Sequence, residues 1–75
     1  MTKILVGGAG YVGSVLAEEL LERGYAVRIL DRLYYGEDGL RSIRDRVDLI
    51  QGDMRNVNPS ALEEVDAVIN VGGLS

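Results

Sequence analysis

The feature that most constrains this chain is the run Gly7-Gly8-Ala9-Gly10-Tyr11-Val12-Gly13, set between the apolar stretch Ile4-Leu5-Val6 and a helix-patterned segment. Eighteen residues past Gly13, a second apolar run, Val27-Arg28-Ile29-Leu30, ends in Asp31. Strand, glycine turn, helix, second strand and an acid at its tip form the pattern of a dinucleotide-binding half-site. Glycine early in the turn permits positive φ, and the missing Cβ at Gly10 lets backbone approach a pyrophosphate. Gly13 lets the helix pack closely on the first strand. The helix N-terminus offers unpaired N–H groups and a positive dipole end to phosphates. Asp31 can accept hydrogen bonds from both hydroxyls of an adenosine ribose. Arg32 beside it is a cation that could instead take a 2′-phosphate. Because the acid at the strand end repels that phosphate, the expected cofactor is NAD ahead of NADP.

Alternating strand and helix signals imply an α/β fold with a parallel sheet, because right-handed crossovers join successive strands. Strands are expected at Lys3–Val6, Ala26–Asp31, Val47–Gly52 and Asp66–Val71. The first helix is expected over Gly10–Arg23, with Val12, Val15, Leu16, Leu20 and Leu21 as its apolar stripe and Gly24 as its left-handed stop. Tyr34–Gly39 reads as a loop and Leu40–Arg46 as a charge-rich helical turn. Asn58-Pro59 reads as an N-cap with proline at the first helical position, opening a short helix Pro59–Glu64. The expected strand order is 3-2-1-4, a partial Rossmann fold. It puts a ligand crevice between the carboxyl ends of strands one and four, flanked by Gly7–Gly13 and Val71–Gly73.

With 75 residues, the chain allows one small domain at most. Its hydrophobic fraction of 47% calls for a core, which the four Tyr as sole aromatics leave aliphatic. The absence of Cys and His excludes disulfides and makes a transition-metal site a poor reading. A net charge of −4 without a basic run argues against nucleic acid. No apolar stretch has the length of a membrane span, and the expected location is cytoplasmic.

Across Val6–Ser14, Asp31–Gly36, Gly52-Asp53-Met54-Arg55 and Val65–Ser75, the chain resembles the extended short-chain dehydrogenase/reductase family. More narrowly, it is similar to the N-terminal part of NAD-dependent nucleotide-sugar epimerases and dehydratases. The family signature Thr-Gly-x-x-Gly-x-x-Gly lands on Val6, Gly7, Gly10 and Gly13, with Val6 in place of the usual Thr. The resemblance implies that the Tyr11 and Val12 backbone meets the pyrophosphate and Asp31 the ribose. It puts Asp53 and Met54 beside the adenine, and Val71, Gly72 and Gly73 along the inner ribose. Asn70-Val71-Gly72-Gly73 stands where many relatives carry His-Leu-Ala-Ala.

The same resemblance implies hydride-transfer chemistry served by a Ser or Thr and a Tyr-x-x-x-Lys pair. Here the single Lys is Lys3, and no Tyr is followed four residues on by Lys. Residues 1–75 therefore read as a cofactor half-domain, truncated before the catalytic and substrate-binding parts and inactive alone. Two other readings stay open. One is a methyltransferase fragment binding S-adenosylmethionine; against it stand the Gly13 spacing and Val6 where an acid often precedes the turn. The other is a stand-alone oligomeric nucleotide-binding or structural module. Self-association is expected through strand four or the uncovered sheet face, since Ala67, Val68, Ile69 and Val71 form an edge without Lys or Pro.

Overall fold

The computed structural model describes residues 2–8, 11–32 and 43–71. The expected loop Tyr34–Gly39, the start of the expected helical turn at Leu40, and Gly10, Gly72 and Gly73 lie outside the described residues. Four strands form one sheet: β1 (Lys3–Gly7), β2 (Ala26–Asp31), β3 (Asp48–Gln51) and β4 (Ala67–Asn70). Their order is β3-β2-β1-β4 and every pairing is parallel, as the alternating pattern requires. The register sets Val6 against Ile29 on one side and against Ile69 on the other, while Ile29 also faces Leu49. The fold is thus an α/β partial Rossmann sheet with its order reversing at β1.

Strand periodicity divides the apolar residues between two faces. Ile4, Val6, Val27 and Ile29 pack with Ala17, Leu20 and Ile43 into the main core. Alternation sends Leu5 and Leu30 to the opposite face; both are buried, as is Ala61. Helix α1 (Tyr11–Glu22) covers the first face. It ends as expected at Gly24, whose φ is +91°. Gly24 N–H donates to the Leu21 carbonyl and Tyr25 N–H to the Leu20 carbonyl, both at 3.1 Å. That pairing is a Schellman stop, and glycine takes its left-handed residue at no steric cost.

The inner side of the helix keeps Leu16, Leu20 and Leu21 of the expected apolar stripe but not its two valines. Val12 and Val15 are 65% and 52% exposed. Gly13, Ala17 and Leu20 are buried, with Leu16 and Leu21 packed at the margin. Small residues win the inner face because they let the helix axis approach the sheet, which outweighs the extra apolar area of valine.

The later crossovers are built of shorter pieces. Arg44–Arg46 is a 3-10 turn, within the segment expected to be helical. Pro59–Leu62 is also a 3-10 turn and stops short of the expected Glu64. Its start follows the sequence signal: the Asn58 side chain accepts from Ser60 N–H at 3.0 Å, with Pro59 next. Glu63 is already extended and Glu64 left-handed at φ +64°, turning the chain into β4.

Candidate functional site

Every sequence-predicted site residue that the structure describes stands at the carboxyl end of a strand or in the first turn of α1. Gly7 closes β1, Asp31 closes β2, and Val71 directly follows β4. Asp53 and Met54 follow β3, across Gly52. Val71 N–H donates to the Gly7 carbonyl at 2.9 Å, carrying the β1–β4 ladder to the lip of the crevice.

The tight reversal falls on Gly8, at φ +100°. That is the glycine early in the turn that the sequence calls for, while Gly7 is the last residue of β1. Gly7 has a different task. A Cβ there would lie 2.6 Å from Met54 Cγ, so the missing side chain makes room for methionine over the strand end. Gly13 is close-packed on the turn: its Cβ would collide with the Gly8 carbonyl oxygen and lie 3.3 Å from Val71 Cγ2. The contact is therefore with the turn and the β4 exit rather than with the body of β1. A backbone cradle this tight leaves Gly8, Gly13 and the N-terminus of α1 converging on one spot. No acid occupies the first turn of α1, so its positive end is uncompensated from within the helix.

One hydrogen bond couples the glycine turn to the acid. Gly8 N–H donates to the Leu30 carbonyl at 2.8 Å, fixing the turn against the residue just before Asp31. Asp31 itself is half-buried, and its carbonyl accepts from Gly52 N–H at 2.8 Å. Arg32 is exposed, with its carbonyl accepting from Gln51 Nε2 at 3.2 Å. The ends of β2 and β3 are thus pinned together at two successive residues.

Asp53 joins the same rim through charge. Its Oδ1 accepts from Arg55 N–H at 2.9 Å, capping the 3-10 turn Met54–Asn56. Arg55 Nε bonds both carboxylate oxygens, at 3.2 and 3.1 Å, and Arg55 Nη2 reaches Oδ2 at 2.8 Å. Arg32 Nη1 stands 3.7 Å from the same Oδ2. These bonds hold the Asp53 carboxyl at a pKa of about 2, with the Arg55 side chain as the leading cause and the Arg55 N–H next. Gly8, Gln51 and Arg55 were not singled out from sequence. The Gly7-Gly8 doublet was a signal for the first; nothing in the spacing marks the other two.

Which family places a glycine turn, a strand-end acid and this rim together is decided by comparison with known proteins. The model of the NAD dependent epimerase/dehydratase family matches residues 4–75. The chain belongs to that family. A UDP-glucose 4-epimerase of Corynebacterium glutamicum is 41% identical over 64 residues, covering 85% of this chain and 19% of the relative. The mouse UDP-glucose 4-epimerase is 36% identical over 90 residues, which cover 99% of this chain and 26% of its own length. A UDP-N-acetyl-alpha-D-glucosaminuronate decarboxylase of Bacillus cytotoxicus is 53% identical over 34 residues, 45% of this chain and 11% of the relative. The chain thus spans about a fifth of the C. glutamicum epimerase and about a quarter of the mouse one. Membership disposes of the methyltransferase reading.

A nicotinamide dinucleotide is the cofactor that the family's name states. The residues here fit such a group chemically. Gly13 leaves a cradle that a Cβ would fill, α1 presents a positive end, and Asp31 supplies an acceptor at the neighbouring strand tip. Among the described residues no helix is long and apolar enough to cross a membrane, and no group of His, Cys, Asp and Glu could hold a metal ion.

Proposed function

We propose that this chain is the adenosine- and pyrophosphate-binding segment of an NAD-dependent enzyme acting on a nucleotide-sugar, either an epimerase or a dehydratase. The observation that carries the reading is the bond from Gly8 N–H to the Leu30 carbonyl, because it sets the phosphate cradle and the strand-end acid in one fixed relation. Gly7, Gly10, Gly13 and the Tyr11 and Val12 backbone hold the pyrophosphate. Asp31 takes the ribose, Asp53 and Met54 the adenine, and Val71, Gly72 and Gly73 the inner ribose. Bound NAD supplies a hydride acceptor and donor; the residues of this chain bind and orient it. They offer no Tyr-x-x-x-Lys pair for proton transfer, so the chain alone is not catalytic. Positioned acid–base catalysis contributes ~10²–10⁴-fold, and substrate orientation adds more. A cytoplasmic location belongs to the same reading.

Titration with NAD, NADP and S-adenosylmethionine tests it. NAD should bind in preference to NADP, and S-adenosylmethionine should not compete. Asp31→Ala removes a charge-assisted acceptor worth roughly 1.5–3 kcal/mol, so NAD should weaken about ten- to hundredfold and the preference should narrow. Tighter binding of NADP than NAD by the unmodified chain contradicts the role of Asp31. Nucleotide-sugar turnover by pure 75-residue material contradicts the non-catalytic assignment.

Self-association is the second part of the proposal. Val68 is 48% exposed on β4, whose outer side pairs with no strand among the described residues. Apolar burial contributes ~25 cal/mol per Å², so a few hundred Å² would yield several kcal/mol on pairing. Sedimentation at micromolar concentration should show a homo-oligomer, and a cooperatively melting monomer would rule it out.

A further inference from the structure

Asp31 ends β2 and Arg32 follows it with the opposite charge, and the two suit different ligands. A free 2′-hydroxyl calls for an acceptor at this position, whereas a 2′-phosphate calls for a nearby cation. Which chemistry the strand tip offers depends on how Arg32 is engaged. Its main chain is anchored by Gln51, and its guanidinium stands 3.7 Å from Asp53 Oδ2. The same oxygen takes Arg55 Nη2 at 2.8 Å, so one carboxylate lies between two guanidinium groups. Asp31, Arg32, Asp53 and Arg55 together sum to zero charge. Without the Asp53 charge the cluster would carry +1.

We propose that Asp53 is a specificity-determining residue: by holding Arg32 across the β2–β3 rim, it withholds that cation from a 2′-phosphate. Exclusion of the phosphorylated dinucleotide is then shared between Asp31, which repels it directly, and Asp53, which stands against the Arg32 guanidinium. A 2′-phosphate arriving at the native rim meets an arginine already paired and two carboxylates nearby. With Asp53 uncharged, the rim gains one positive charge and Arg32 loses this carboxylate neighbour, which favours the paired N–H contacts that guanidinium makes to phosphate. This role is separate from any adenine contact and rests on the dinucleotide reading above.

The test uses 5′-AMP and 2′,5′-ADP, which differ only in the 2′-phosphate, titrated by NMR into the chain at low ionic strength. Asp53→Asn is the informative change. Asparagine keeps an oxygen for the Arg55 N–H and caps as well as aspartate, while the charge is lost. Adenine contacts cancel in the ratio of the two affinities. The unmodified chain should prefer 5′-AMP. In Asp53→Asn the ratio should move at least tenfold toward 2′,5′-ADP, and Asp53→Asn/Arg32→Gln should reverse that gain. A ratio within twofold of the native one overturns the proposal, as does a gain that survives loss of Arg32. Arg32→Gln alone provides a check that does not depend on the folding of Asp53→Asn. With Arg32 already held, it should change the ratio less than threefold, and a tenfold loss of 2′,5′-ADP alone overturns the proposal. If the folded native chain binds neither nucleotide, the dinucleotide reading falls with it; an unchanged ratio with binding intact removes only the role of Asp53.

Discussion

The two ends of this small sheet treat charge in opposite ways. At the amino ends of the strands, charged groups are used within the fold. Lys3 Nζ and Arg28 Nη2 each stand 3.5 Å from Asp48 Oδ2. The Asp66 carboxylate accepts from Lys3 N–H at 2.8 Å, fastening the start of β4 to the start of β1. Arg28 Nη1 donates to the Ala61 and Glu63 carbonyls, both at 2.9 Å, and so ties the Pro59–Leu62 turn to β2. At the carboxyl ends stand the N-terminus of α1, with no acid in its first turn, and Asp31 at the tip of β2. Asp53 is the exception there, a rim carboxylate already engaged by two arginines. The amino end spends its charges on contacts within the fold, and the carboxyl end carries the residues proposed to meet a ligand. Changes at one end should therefore read out in stability and at the other in binding.

The largest effect should come from Gly13→Ala. The added methyl meets the Gly8 carbonyl, which is backbone at the tightest point of the turn and cannot swing aside as a side chain can. Overpacking of this kind costs about 1–3 kcal/mol, a fall in Tm on the order of 10 °C for a chain of this size. Nucleotide binding should weaken by at least an order of magnitude, more than the stability loss alone produces, because the phosphate cradle itself is displaced. Thermal melting paired with NAD titration checks both. A variant that melts and binds like the native chain would show that the rim is loosely built.

Arg28→Met should come next, and with the opposite signature. Arg28 sits mid-strand between Val27 and Ile29, and its side chain is only 13% exposed. Its loss leaves two carbonyls without their donor, at a cost of about 1–3 kcal/mol. The gain that offsets part of this is the removal of Arg28 Nε, which is buried without a hydrogen-bond partner among the described residues. Urea denaturation should show the loss, while the ratio of NAD to NADP affinity stays as in the native chain.

Much of this division was legible in sequence, for physical reasons that differ by element. β2 was read with its observed bounds because a β-branched apolar run is stopped by Asp31 at one end and by Gly24 before the other. The order 3-2-1-4 followed from right-handed crossovers and the position of the glycine turn, not from any pairing signal in the strands. The inner face of α1 was read correctly at Leu16, Leu20 and Leu21 but not at Val12 and Val15, since hydropathy ranks these above Gly13 and Ala17, while close approach to the sheet selects the small residues. Positive φ was expected of a glycine early in the turn, and backbone geometry puts it at Gly8. The pairing of Arg28 with carbonyls 33 and 35 residues away, and of Arg32 with Asp53, leaves no local trace in the chain. Such contacts become visible only once the sheet has set its register.

Asp53 should sharpen the comparison through pH. Its carboxyl is lowered from an ordinary 3.8 to about 2, first by the Arg55 side chain and then by the Arg55 N–H. A group whose pKa is depressed on folding stabilises the fold above its ordinary value, and that contribution is lost as pH falls through its folded value. The contribution should therefore be complete above pH ~4 and fade toward about 2. Following the side-chain carboxyl by NMR should give a midpoint near 2, and Arg55→Ala should return it toward the ordinary value. A midpoint that ignores Arg55 would mean the rim pair is not formed in solution.

The smallest effect should follow Lys3→Met at the amino end. Its ion pair to Asp48 spans 3.5 Å, and the Asp48 side chain is 58% exposed, so water and salt weaken the attraction. Asp48 also keeps Arg28 when Lys3 is lost, and the Lys3 N–H to Asp66 is a main-chain bond that the substitution leaves in place. Exposed pairs contribute ~0.2–1 kcal/mol, and added salt should erase most of even that within a Debye length of about 10 Å at 0.1 M. Urea unfolding with and without salt should therefore differ from the native chain by less than ~1 kcal/mol. A loss above about 2 kcal/mol would make the amino-end charges a coupled network rather than a surface pair. The affinity for NAD should not change at all. If it falls more than threefold, the strands transmit strain from one end to the other, and the separation between a stabilising end and a binding end fails.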